Sequence, residues 1–135
     1  MASRDDDVVL RTVGLSRRYG RLLALSDLNL EVRRGHVYGF LGPNGSGKTT
    51  TIALILGLIA PSRGHVELFG LDTRRWLSQA LRRTGAVLEG PSFYPLLTGR
   101  DNLRVWAALS DGANEKRIDE LLEMVGLGGR GRDKV

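Results

Sequence analysis

The sequence predicts an α/β domain that carries an antiparallel β subdomain at its N-terminal end. Three observations predict it. Segments with the two-residue period of strands alternate with segments of helical period. The glycine-rich run Gly42–Thr50, GPNGSGKTT, sits between an apolar run and a longer apolar helical one. Two strand-like segments precede that run instead of following it. The chain has 135 residues, of which 41% are hydrophobic, which fits one globular domain or part of a larger one. No internal repeat is visible.

The elements follow in order. Residues 1–7 form a polar leader without the apolar core of a signal peptide. Val8–Leu15, loosely alternating and β-branched, predicts a strand. Leu28, Leu30 and Val32 alternate in a second strand-like segment. A turn at Gly35 is expected to fold it against Val37–Leu41, VYGFL, as a hairpin-like pair. VYGFL is apolar on both faces, as a buried strand of an α/β sheet is. His36 and His65 each stand at the start of an expected strand, facing solvent.

After the glycine run, TTTIALILGLI has no polar face, which predicts a buried helix. PSRG is a turn, and HVELFG alternates as a strand. The segment 72–85 reads as a short helix with Trp76, Leu77, Ala80 and Leu81 in one stripe. Arg82 and Arg83 are expected in its last turn, at the negative end of the helix dipole. GAVLEG reads as a short strand and PSFYPLL as a loop. Thr98 and Asp101 have capping-box spacing and predict a helix from Gly99 to about Ser110, with Leu103, Trp106 and Ala107 inward. A last helix from Glu115 carries Ile118, Leu121, Leu122 and Val125 at i, i+3, i+4 and i+7, and Gly126 stops it. Trp76, Trp106 and Met124 are core candidates on helical spacing alone.

Charge and composition narrow the function. Lys plus Arg number 20 and Asp plus Glu 15, a net charge of +5. The arginines come in scattered pairs, without the massed basic stripe and interleaved aromatics of a nucleic-acid binder. The chain has no cysteine, which excludes disulfides, thiolate metal sites and a cysteine nucleophile. No run of about 18 apolar residues occurs, so membrane association is expected only through a partner.

The glycine run carries the chemistry. Gly42, Gly47, Lys48 and Thr49 satisfy the spacing G-x-x-x-x-G-K-[ST], with Pro43, Asn44, Gly45 and Ser46 between and Thr50 after. Glycines let the backbone curl so that several N–H groups face one anion. The following helix turns its positive end to the same anion. Lys48 adds a mobile full charge for β- and γ-phosphates. The Thr49 hydroxyl is placed to ligate Mg²⁺. Both flanks match: an apolar strand pattern before, an apolar helix after.

Across these parts the chain resembles the ATP-binding cassette of ABC transporters, a P-loop NTPase fold with a partial RecA-like core. The parts are LSRRYG, ALSDLNLEVRRGHVYGFLGPNGSGKTT, LGLIAPSRGHVELFG, GAVLEG, FYPLLTGRDNL and LLEMVGL. The resemblance runs from about Val8 to Val135. It divides the chain into a β subdomain and phosphate-loop core over 8–90, and a Q-loop region with the start of the helical subdomain over 91–135.

The resemblance implies roles. Tyr19 matches the aromatic that stacks on adenine, a face-to-face contact worth about 1–3 kcal/mol per base in nucleic-acid analogues. Glu89 stands where the family usually has a glutamine that helps hold Mg²⁺ and the attacking water. A carboxylate also ligates Mg²⁺ through oxygen. That acid, followed by PSFYPLLTGRDNL, resembles the branch that exports bacitracin and lantibiotics. ATP and Mg²⁺ are the implied ligands, with Lys48 and Glu89 as catalytic residues and Thr49 and Glu89 at the metal. The implied partners are a transmembrane permease and a second cassette, at the cytoplasmic face of the cell membrane. The loop from Glu89 to Asn102 is expected to touch the permease, with Phe93 and Tyr94 as contact anchors or as loop packing.

Further motifs of the family are not found in the 135 residues: the signature loop near L-S-G-G-Q, the Walker B aspartate, the catalytic glutamate and the switch histidine. GLGGRGRDKV resembles the approach to the signature. The expectation is an N-terminal fragment of a cassette whose complete form has roughly 200 or more residues, within the range of one domain. By itself it is expected to bind nucleotide but hydrolyse poorly, and to expose an unpaired sheet edge. The alternative reading is a non-catalytic nucleotide-binding remnant or regulatory module. A GTPase is disfavoured because no N-K-x-D run occurs.

Overall fold

The computed structural model describes residues 7–88, 90, 93–108 and 114–134. The chain divides into two compact units, Met1–Gly85 and Ala86–Val135.

The first unit is built on a four-stranded antiparallel sheet. Its strands are β1 (Val8–Tyr19), β2 (Leu22–Arg33), β3 (Arg63–Leu68) and β4 (Leu71–Asp72), in the order β2-β1-β3-β4. β1 and β2 form a hairpin across Gly20-Arg21, with Tyr19 paired to Leu22. Both strands are longer than the alternation predicts, because β1 reaches past Leu15 to Tyr19. Irregular register interrupts their pairing at several points. At one, the buried Thr12 hydroxyl donates to the Leu28 carbonyl and accepts from the Leu30 N–H, both at 2.9 Å. That side chain mends the ladder where backbone pairing slips.

Helix α1 (Lys48–Ile55) and helix α2 (Thr73–Leu81) belong to the same unit. Leu15, Leu54, Val66, Leu68 and Ala80 make its buried core, contributed by β1, α1, β3 and α2. α1 differs from expectation. It buries Thr51 and Leu54, while Ile52 and the following Leu58 remain exposed. An all-apolar helix needs cover on every side, and the described residues cover only one. Gly57 ends α1 at φ 68°, with Gly57 N–H donating to Leu54 C=O at 3.2 Å and Leu58 N–H to Ala53 C=O at 2.9 Å. That pair is the Schellman closure, which requires a left-handed residue and so favours glycine.

α2 begins at Asp72, whose side chain accepts from the Arg74 N–H. Ala80 is buried as predicted, but Trp76 is 55% exposed. Its backbone leaves helical geometry (φ −126°, ψ 31°), which turns the ring out of the stripe. Arg82 caps the helix and Arg83 lies beyond it, its guanidinium 4.2 Å from the Phe69 ring centroid. Neither arginine sits in the last helical turn.

Two predicted strands do not form among the described residues. Val37–Leu41 is irregular, with Val37 102% and Leu41 94% exposed. The Gly35 turn (φ 76°) therefore joins no hairpin, and exposed His36 starts no strand. The described part of GAVLEG is also without strand structure, and Val87 is exposed. The cause is shared: a strand of a parallel sheet is held by its neighbours, and no described segment pairs with either. His65, expected at a strand start and in solvent, lies inside β3, half-buried beside Glu67 at 3.3 Å.

The second unit holds helix α3 (Gly99–Ala108), helix α4 (Glu115–Met124) and a short 3₁₀ turn, Gly128–Arg130. The Asp101 N–H donates to Thr98 Oγ1 at 3.1 Å, and the Thr98 hydroxyl donates to Asp101 Oδ2 at 2.6 Å, so the expected cap is present. Ser110 lies outside the described residues. Leu103 and Ala107 are half-buried, but Trp106 is exposed. Asn114 caps α4 through the Arg117 N–H. Ile118 and Leu122 are buried, while Val125, one residue past the helix, and Met124 are exposed. Gly126 (φ 73°) stops α4 as predicted, with Leu127 N–H donating to Leu122 C=O at 2.7 Å.

Candidate functional site

β1, β2 and α1 bring the predicted nucleotide residues to one place. A cavity of about 500 Å³ is lined by Tyr19 at the end of β1, by Leu22, Leu23 and Ala24 at the start of β2, and by Asn44, Gly45, Gly47, Lys48, Thr49 and Thr50. A larger-than-water concavity that mixes an aromatic, apolar side chains and a helix start has the form of a small-molecule site. The hairpin explains the convergence. Its two-residue turn holds Leu22 beside Tyr19, and β2 then brings the Ala24 carbonyl against Gly47 at the start of α1.

The loop has specific local geometry. Gly47, the residue ahead of α1, has φ 89°, and a Cβ there would stand 2.8 Å from the Ala24 carbonyl oxygen. Left-handed backbone and close approach to β2 both require glycine. No side chain caps α1. Its first bond runs from the Thr51 N–H to the Gly47 carbonyl at 2.8 Å, reinforced by the Thr51 hydroxyl at 2.9 Å. The amides ahead of Thr51 precede the first intrahelical bond and, with the helix dipole, favour an anion. The Ser46 N–H closes a turn on the Pro43 carbonyl at 3.2 Å.

Lys48 curls back over the loop. Its ammonium donates to the Gly42 carbonyl at 2.5 Å and the Pro43 carbonyl at 2.8 Å, and lies 3.5 Å from Ser46 Oγ. A full positive charge is thereby held above the loop by neutral carbonyls and one hydroxyl. None of these is an ion pair, so a triphosphate competes well for it. Tyr19 is 44% exposed and lines the same cavity. The glycine cradle, the uncapped helix start and an ammonium held by neutral oxygens fit a polyphosphate. Thr49 offers a hydroxyl for Mg²⁺ in the same lining.

Of the predicted residues, Tyr19, Asn44, Gly45, Gly47, Lys48, Thr49 and Thr50 line the cavity, and Gly42, Pro43 and Ser46 complete the loop that Lys48 spans. Glu89 lies outside the described residues. Leu22, Leu23 and Ala24 were not foreseen. Their signal was the pair of leucines directly after the Gly20 turn, exposed opposite Tyr19.

In the second unit, Asn102 is 1% exposed and pins the loop before α3. It accepts from the Tyr94 N–H at 2.7 Å and donates to the Tyr94 and Thr98 carbonyls at 3.1 Å. Phe93, Tyr94 and Leu96 remain exposed on that loop. Arg104 bridges Asp101 at 2.7 Å and Glu115 at 2.6 Å, and Arg100 bonds Glu115 and Asp119. The Asp101 carboxyl is held below the ordinary range chiefly by the Thr98 hydroxyl and then by Arg104, and the Glu115 carboxyl chiefly by Arg104.

A glycine loop running straight into a helix beside an antiparallel hairpin defines a P-loop nucleotide-binding domain. The comparisons with known proteins are more specific. The protein family described as ABC transporter matches residues 25–135, and the chain belongs to that family. It is 44% identical over 119 residues to the bacitracin transport ATP-binding protein BcrA of Bacillus licheniformis, covering 88% of this chain and 39% of that protein. It is 34% identical over 120 residues to the lantibiotic transport ATP-binding protein SrtF of Streptococcus pyogenes, covering 89% and 51%. A solved ATP binding subunit of an ABC transporter superposes with a TM-score of 0.80 at 30% identity, over 93% of this chain and 54% of that one. The chain thus spans between two fifths and one half of these two curated relatives. No helix among the described residues is long and apolar enough to cross a membrane.

Proposed function

We propose that this chain forms the nucleotide-binding part of an ATP-binding subunit that powers an ABC transporter. The observation that carries the reading is the single cavity joining Tyr19 to the loop Gly45–Thr50. In it the Tyr19 ring stacks on adenine, the loop amides and the α1 dipole hold the phosphates, and Lys48 leaves its carbonyl partners for the β- and γ-phosphates. Thr49 would hold Mg²⁺ through its hydroxyl, and the ion would supply charge neutralisation at the phosphates. In-line phosphoryl transfer depends on such positioning and charge.

Similarity to the bacitracin and lantibiotic transport proteins supports export of a peptide antibiotic as the work performed. A permease and a second cassette are the partners in this reading. The exposed Phe93 and Tyr94, on a loop fixed by Asn102, are its contact anchors for the permease. Hydrolysis is assigned to the whole protein.

The test is ATP hydrolysis by the whole protein assembled with its permease. Lys48→Ala is expected to lower triphosphate affinity by about ten- to a hundredfold, the worth of hydrogen bonds to a charged group, and to remove ATP-driven transport. Unchanged affinity would refute the assignment.

A further inference from the structure

We infer that Arg17 is the positioning residue for the base platform: it fixes the Tyr19 ring from outside the cavity lining. The inference rests on the reading of Tyr19 as the base-stacking residue. The Arg17 guanidinium carbon lies 4.5 Å from the Tyr19 ring centroid, within the range of a cation–π contact. Arg17 is not among the residues that line the cavity, whereas Tyr19 is. The guanidinium thus contacts the ring from outside the set of residues that line the cavity.

The guanidinium is itself anchored. Its Nη1 donates to the Ala60 carbonyl at 2.7 Å, in the segment that follows α1. Its Nε is shielded from solvent and has no hydrogen-bond partner. A buried donor left unpaired is costly and calls for an explanation. Here the plane of the group is set by the Tyr19 ring and the Ala60 carbonyl together, and that setting leaves Nε without an acceptor. The β1–β2 register shifts on both sides of Arg17, which re-aims the side chains at this end of the strand.

Two consequences follow for a base stacked on Tyr19. The ring is held in one orientation before the nucleotide arrives, so less side-chain freedom is lost on binding. The cation also draws the ring's π-density toward itself, which leaves the ring less electron-rich and better matched to a purine. The Ala60 bond ties the platform to the chain leaving α1, whose other end carries the phosphate loop. Base end and phosphate end are thus linked through one arginine.

The test compares ATP with inorganic triphosphate, which has no base, in equilibrium binding to the whole protein. Arg17→Met is expected to weaken ATP about three- to tenfold and leave triphosphate unchanged. Arg17→Lys, which keeps the cation, is expected to restore part of the loss. In a Tyr19→Ala background Arg17→Met is expected to cost nothing more. Equal weakening of both ligands would make Arg17 a general structural residue and overturn the inference. So would full additivity with Tyr19→Ala. If Tyr19→Ala weakens ATP but Arg17→Met does not, Arg17 alone loses its role. If Tyr19→Ala leaves ATP affinity intact, the base-platform reading falls and this inference with it.

Discussion

The two ends of the candidate site are held by different means. The Tyr19 end stands on a hairpin whose strands pair from Val8 to Tyr19 with several register shifts, and whose Leu15 belongs to the buried core. The phosphate end hangs between α1, buried along one line, and Val37–Leu41, which is apolar, irregular and exposed. Antiparallel strands joined by a tight turn find each other within a few residues. A strand of a parallel sheet must wait for partners that come from elsewhere. The Tyr19 end therefore rests on its own hairpin, whereas the loop Gly42–Thr50 is supported on one side only.

The sharpest break of this comparison comes from hydrogen exchange on the 135-residue chain. Backbone amides of β1 are expected to exchange orders of magnitude more slowly than those of Val37–Leu41. The same exposed apolar side chains are expected to drive self-association. Comparable protection in both segments, or a monomer that unfolds reversibly, would erase the contrast. Next in size, Leu15→Ala should cost about 2–5 kcal/mol of stability, because it opens a cavity in the core shared by β1, α1, β3 and α2. A shift in melting temperature measures it. At the other end, Gly47→Ala should cost about 1–3 kcal/mol through left-handed strain and collision with the Ala24 carbonyl, and triphosphate affinity should fall with it.

The smallest effect lies away from the site. The side-chain hydrogen bond from Arg74 is the main cause that lowers the Asp72 carboxyl from 3.8 to about 2. Its folded pKa is depressed, so the contribution of the α2 cap is fully present above about pH 4 and is lost as pH falls through about 2. A carboxyl carbon titration of Asp72 should show a midpoint near 2 instead of near 3.8.

Much of this was legible in the chain, and the failures share one cause. The Gly42–Thr50 spacing located the loop that shares a cavity with Tyr19, because a glycine run opening a helix is a local feature. Thr98 with Asp101 and Gly126 located helix ends for the same reason. Tyr19 could be assigned only through family resemblance, since nothing local says what a ring after two arginines faces. Leu22–Ala24 at the cavity and Arg17 beneath the ring depend on the hairpin register, which alternation alone did not reveal. Val37–Leu41 and the segment around Val87 have the apolar composition of strands but form none among the described residues, because strand structure is a property of pairs. Trp76 shows the opposite failure: its spacing was helical, but a local departure from helical dihedrals turned it outward.

Whether one site spans Tyr19 and the loop Gly42–Thr50 turns on where the base lies. Photolabelling with an 8-azidoadenine triphosphate, followed by peptide mapping, tests it most directly. The label is expected on the Tyr19–Leu23 turn, to be displaced by ATP and to be lost in Lys48→Ala. A label that maps elsewhere, or that persists in Lys48→Ala, would contradict a single site spanning Tyr19 and the phosphate loop.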